Sequence, residues 1–146
     1  MVDTPAVIDV ARRQLAEQPS RPRCTLVPGN LLEPLPRGGN LYLLSGVIHD
    51  WDDDEAIRIL DQCRCAMAPD GKVLVVESIL PAGDGSAFGA LLDLNMLVMT
   101  GGRERTEREF RRLFDAAGLV VTRITPTLAP QSAIEGSCAT RACVRD

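Results

Sequence analysis

A chain of 146 residues with a formal charge of −4 is long enough to bury a core and carries no surplus of basic residues. Its 16 Lys and Arg are scattered and aromatics are 3% of residues, which argues against a nucleic acid held by phosphate neutralisation or base stacking. No apolar run approaches the ~18 residues of a membrane span, and the start Met1-Val2-Asp3-Thr4-Pro5 lacks the basic and apolar regions of a signal peptide.

In chain order, residues 5–17 read as a helix. Pro5 suits a first turn, and Val7, Ile8, Ala11 and Leu15 form an apolar stripe. Residues 23–27 read as a short strand. Residues 28–40 hold three prolines and three glycines and read as loop. Leu41-Tyr42-Leu43-Leu44 is a continuous apolar run, the pattern of a strand covered on both faces. A helix follows from Asp52 to about Met67. Asp52 and Glu55 form a capping-box-like pair, the acidic first turn suits the helix dipole, and Trp51 is expected to pack over the helix start.

Pro69-Asp70-Gly71 breaks that helix, and residues 72–80 read as a second buried strand. A linker at 81–85 leads to an apolar helix over 87–100. Thr106 and Glu109 form a second capping box, opening a helix to Ala117 that buries Phe110, Leu113 and Phe114. Gly118 suits the position just past its end. Residues 119–124 and 132–138 read as two strands, joined by 126–130 and antiparallel to one another. Strands alternating with helices predict an α/β fold: a mostly parallel sheet with a C-terminal antiparallel hairpin. One domain over 1–138 and a tail over 139–146 are expected.

The five cysteines are odd in number and follow no export signal, which fits reduced thiols and a cytoplasmic location. Cys63-Arg64-Cys65 places its two sulfurs on different faces of a helix, so structural thiols are expected there rather than a metal site.

The single histidine, His49, stands where a strand ends and a helix begins, at the edge where open α/β sheets hold ligands. A lone histidine more often tidies a turn. Its position and its company favour chemistry. Glu77 is the only charge from Val73 to Leu80 in an otherwise apolar strand, and a buried carboxylate requires a partner. Glu104 lies in the loop Gly101-Gly102-Arg103-Glu104-Arg105-Thr106, whose following helix is already capped without it. A histidine and two acids at element ends suit a base held by orienting carboxylates. The acids at 52–55 are explained by capping, so no metal is expected. Met96 and Met99 fit a helix core or the wall of a flat apolar ligand site.

His49-Asp50-Trp51 before an acidic helix start, then Val75-Val76-Glu77, Asp93-Leu94-Asn95-Met96-Leu97 and Gly101-Gly102-Arg103-Glu104-Arg105-Thr106 occur in an order and spacing that carry a family likeness. The chain resembles the S-adenosylmethionine-dependent O-methyltransferases of the plant phenolic and bacterial polyketide type. The resemblance implies a Rossmann-like class I methyltransferase sheet, here incomplete. It implies that His49 takes the proton from a hydroxyl of a small aromatic or polyketide substrate, with Glu77 and Glu104 flanking the imidazole. Asp50, Asn95 and Met96 would lie on the substrate side. Asp3, Asn30, Leu31 and Ser45 would lie on the cofactor side, Asp3 meeting the ribose hydroxyls. Asn30 stands where the family usually has an adenine-binding aspartate, and Ser45 where many plant members have lysine.

The resemblance also implies a glycine-rich cofactor loop and an N-terminal dimerisation domain ahead of Asp3, so the chain reads as the C-terminal part of a homodimeric enzyme. Two alternatives stand beside methyl transfer: a non-catalytic remnant or subunit completed by another chain, and a related hydroxylase or decarboxylase on the same fold. The strand at 41–45 is then expected to be an exposed apolar edge, with room beside it for the strand at 23–27.

Overall fold

The fold is taken from a computed structural model, which describes residues 1–16, 23–81, 96, 98 and 101–139. The chain divides into two compact units, Met1–Leu35 and Pro36–Asp146.

In the first unit, strand β1 (Val2–Asp3) leads into helix α1 (Pro5–Ala16) and pairs in parallel with β2 (Val27–Pro28). Ile8, in the middle of the predicted stripe, is fully buried. The strand expected over 23–27 is thus shorter and later. Met1 donates through its amino group to Thr25 O, Val27 N donates to Met1 O, and Gly29 N donates to Asp3 O. These bonds commit the segment to β1 rather than to the vacancy expected beside residues 41–45.

The second unit holds a sheet in the order β3 (Gly39–Ser45), β4 (Met67–Leu80), β7 (Gln131–Cys138), β6 (Leu119–Pro126), with β5 (Arg105–Thr106) added to the end of β4. β3 and β5 run parallel to β4, and β7 and β6 form an antiparallel hairpin. Pro69-Asp70-Gly71 ends the helix but lies inside β4, because the strand begins at Met67 and absorbs the break as an irregularity opposite Gly39 and Leu41. Gly71 is needed there: a Cβ would sit 2.9 Å from Ala68 O and 3.0 Å from Gly39 O.

Helix α2 (Asp53–Ala66) is capped by Asp52, which accepts from Glu55 N at 2.8 Å. Helix α3 (Glu107–Ala116) carries the full predicted capping box: Thr106 accepts from Glu109 N, and Glu109 accepts from Thr106 N. Gly118 ends it with φ +74°. Both helices pack on the sheet face that carries Val73, Val75 and Glu77 of β4 and Ile134 of β7. Phe114 lies so close to Gly136 that a Cβ on that glycine would sit 2.5 Å from its ring. Cys63 is buried in α2 and burial pushes its thiol up to about 12, while Cys65 is exposed.

The other face differs from the expectation of a strand covered on both sides. Leu41 is 54% and Leu43 58% exposed, because the two helices cover only the face of Leu44. Among the described residues, β3 bonds to β4 alone and ends the sheet. No described helix is long and apolar enough to cross a membrane.

Candidate functional site

β3 ends at Ser45, Gly46 turns the chain with φ +62°, and a short 3-10 turn, Ile48–Asp50, carries the histidine. Glu77 lies on the adjacent parallel strand, close to its carboxyl end and only 1% exposed. Its two oxygens are divided between two tasks. Oε1 accepts from the backbone N–H groups of Val47 and Ile48, both at 2.8 Å. Oε2 lies 2.7 Å from His49 Nδ1. A carboxylate there makes Nδ1 the protonated nitrogen and leaves the Nε2 lone pair available. Asp50 Oδ1 stands 3.5 Å from Nε2.

The His49 side chain is 25% exposed. Burial by itself would lower its pKa. The hydrogen bond to Glu77 and the charges of Glu77, Asp50 and Glu104 outweigh that effect and raise it above the ordinary 6.5. Glu104, 55 residues along and 7% exposed, is thus brought within electrostatic range of the imidazole.

The loop that delivers Glu104 lies directly on the histidine turn. Arg103 N donates to His49 O at 2.9 Å. A Cβ on Gly102 would fall 1.9 Å from His49 O and 2.6 Å from the Asp50 carbonyl carbon, so only glycine permits this approach. Arg105, 1% exposed, extends its guanidinium beneath the same turn. Nη1 donates to Ile48 O at 2.9 Å and to Arg103 O at 3.3 Å, and Nη2 donates to Trp51 O at 2.8 Å. Nε and Nη2 both donate to Asp53 Oδ1, at 3.0 and 2.8 Å.

Sequence reasoning gave Gly102 and Arg105 no role. One signal was present: Arg103 and Arg105 lie within the three residues before the N-cap of α3, where the helix dipole disfavours cations unless acids compensate. Trp51, expected as a packing group over α2, contributes its carbonyl.

The remaining expected site residues are placed as follows. Ser45 is exposed at the end of β3. Met96 is helical and half-buried, while Asn95, like Asp93 and Met99, lies outside the described residues. In the first unit, Asp3 ends β1 and Asn30 follows the end of β2, and Leu31 is half-buried. Asp3 Oδ1 accepts from Thr4 N, and Asn30 Oδ1 accepts from Leu32 N.

The O-methyltransferase domain family matches residues 1–120. A phenazine O-methyltransferase, PhzM, of Lysobacter antibioticus is 44% identical over 135 residues, covering 92% of this chain and 40% of the relative. A phenazine-1-carboxylate N-methyltransferase of Pseudomonas aeruginosa is 37% identical over 124 residues, covering 85% of this chain and 37% of the relative. The crystal structure of an O-methyltransferase (NcsB1) from neocarzinostatin biosynthesis, in complex with S-adenosylmethionine and 2-hydroxy-5-methyl naphthoic acid, superposes with TM-score 0.83 at 34% identity. That superposition covers 94% of this chain and 40% of the other, so the α/β sheet is shared while this chain spans about two fifths of the proteins it matches. With a family match over residues 1–120 and identities of this order across most of its length, the chain belongs to the O-methyltransferase domain family.

Proposed function

We propose that this chain supplies the catalytic base of an S-adenosylmethionine-dependent methyl transfer to a hydroxyl of a small aromatic or polyketide molecule. The observation that carries the reading is the Glu77–His49 pair at 2.7 Å, with the opposite imidazole nitrogen left to accept a proton. Bound S-adenosylmethionine supplies a methyl group on a sulfonium, which leaves as a neutral thioether. His49 Nε2 takes the hydroxyl proton, so that the substrate oxygen attacks with a developing negative charge. Glu77 holds the ring orientation and, with Glu104, stabilises the imidazolium that forms. Asp50, Asn95 and Met96 are assigned to the substrate side. Asp3, Asn30, Leu31 and Ser45 are assigned to the cofactor side, with Asp3 Oδ2 for a ribose hydroxyl. The same reading carries homodimerisation of a longer polypeptide and a cytoplasmic setting.

The test is methyl transfer to small phenols, assayed on this chain and on the product of any in-frame continuation upstream of Met1. His49→Ala is expected to lower turnover about 100- to 10,000-fold while cofactor affinity holds. Unchanged turnover in the variant removes His49 as base. Because its pKa is raised, the base is neutral only above that value, so turnover should climb as pH rises through it. A chain that shows no saturable cofactor binding in a calorimetric titration, while the longer product binds, is a subunit or remnant instead. The N-methyltransferase among the relatives supports a second acceptor class. Aromatic amines assayed beside phenols separate the two.

A further inference from the structure

We propose that Arg105 is the positioning residue that holds the His49 turn against Glu77 and Glu104, acting through the backbone carbonyls of Ile48 and Trp51. The inference rests on the reading of His49 as base, but its test does not require turnover.

Three elements meet at this side chain. The backbone of Arg105 is paired in register with Ile79, two positions beyond Glu77 on β4. Its guanidinium spans the turn that carries His49, with Ile48 O on one side and Trp51 O on the other. It then reaches Asp53, the first residue of α2. The donor count is complete: one N–H on Nε and two on each Nη match five accepted bonds, two of them to Asp53 Oδ1. A buried cation is costly to leave unpaired, so this arrangement is self-enforcing. A salt bridge to half-exposed Asp53 would not by itself demand a fully buried arginine. The carbonyls of the histidine turn do.

The same loop accounts for the turn's remaining carbonyl, since Arg103 N donates to His49 O. Gly102 lets the two backbones touch. Glu104 stands between Arg103 and Arg105, so the contacts that fix the turn also deliver the second carboxylate. Lysine cannot replace this geometry. Its three donors radiate from one nitrogen and cannot span Ile48 O, Trp51 O and Asp53 together.

The chain has one histidine, so its imidazole resonances need no assignment by mutation. The experiment is an NMR titration of His49 in the 146-residue chain and three variants. The charges that raise the His49 pKa are Glu77 from β4, Asp50 from its own turn and Glu104 from the loop, and Asp53 lies on the far side of Arg105 bonded to its guanidinium. Arg105→Lys keeps the charge and loses the span. Its midpoint is expected to fall measurably toward the unperturbed 6.5. Arg105→Gln separates geometry from charge: loss of a nearby cation alone raises the midpoint, whereas loss of positioning lowers it. Asp53→Asn changes a half-exposed residue and should give a smaller fall in the same direction.

A folded Arg105→Lys variant with an unchanged midpoint, or a rise in Arg105→Gln, overturns the proposal. If neither arginine variant folds, Asp53→Asn decides alone, and an unchanged midpoint there overturns it. Methyl transfer that survives His49→Ala would remove the base assignment and leave the titration result standing, so the two failures are distinguishable.

Discussion

The histidine turn and the Asp3–Asn30 end are built to different standards. Around His49, three charged side chains are buried to 7% exposure or less, and the carbonyls of Ile48, His49 and Trp51 all accept from N–H groups of the loop that carries Glu104. Around Asp3, two strands of two residues each are joined by a few backbone bonds, and among the described residues both side chains bond to their own neighbours. Proton transfer needs a base held within fractions of an ångström, and a rigid packed shell supplies that. Hydroxyl recognition tolerates an exposed, locally braced carboxylate. Among the described residues, the contacts that fix the histidine turn come from within Pro36–Asp146, whereas Asp3 and Asn30 are braced by bonds within Met1–Leu35.

The contrast is open to measurement. The largest effect is expected from Glu77→Ala, which strands the N–H groups of Val47 and Ile48. Each buried donor left unsatisfied costs about 1–3 kcal/mol, so urea unfolding should show a loss of several kcal/mol. A loss near that of a surface substitution would mean that the turn is not held by Glu77. Gly102→Ala comes next. Its methyl group falls on His49 O, and forcing the loop off the turn should cost about 1–3 kcal/mol. Wild-type stability in that variant would show that the loop relaxes freely and that the close approach is incidental.

A smaller effect follows from pH. The raised His49 pKa means that the folded state holds its proton more tightly than the unfolded chain does. The resulting stability is fully present below the unfolded value of about 6.5 and is lost as pH rises through the folded value. Melting temperature should therefore decline from pH 6 to 8, and Glu77→Gln should flatten that decline. The range stops short of the buried Cys63 thiol, whose ionisation lies far higher. The smallest effect belongs to the other end. Asp3→Ala removes one exposed hydrogen bond to Thr4 N and should change stability by no more than about 0.5 kcal/mol. A loss comparable to that of Gly102→Ala would erase the distinction between the two regions.

The helix starts were legible because their bonds close within three residues: Asp52 with Glu55, and Thr106 with Glu109. The β6–β7 hairpin was legible for the same local reason. His49 stood out as the sole histidine at a strand-to-helix junction, and Glu77 as the lone charge in the apolar run from Val73 to Leu80. The resemblance to O-methyltransferases assigned Glu104 its place beside them. Nothing local announced that the strand at 23–27 would shrink to Val27–Pro28, since β1 offers only two residues to pair with.

By itself, then, the sequence determined the caps, the periodicity and the residue types at element ends, all set by interactions a few positions apart. The tertiary structure alone decided that Glu77 divides its oxygens between the imidazole and two backbone donors, that Gly102 is pressed on His49 O, and that Arg105 is buried beneath the turn. Those partners lie 28 to 57 positions away in the chain. Which distant carbonyl meets which donor depends on the parallel registers of β3, β4 and β5, and those registers exist only once the sheet has formed.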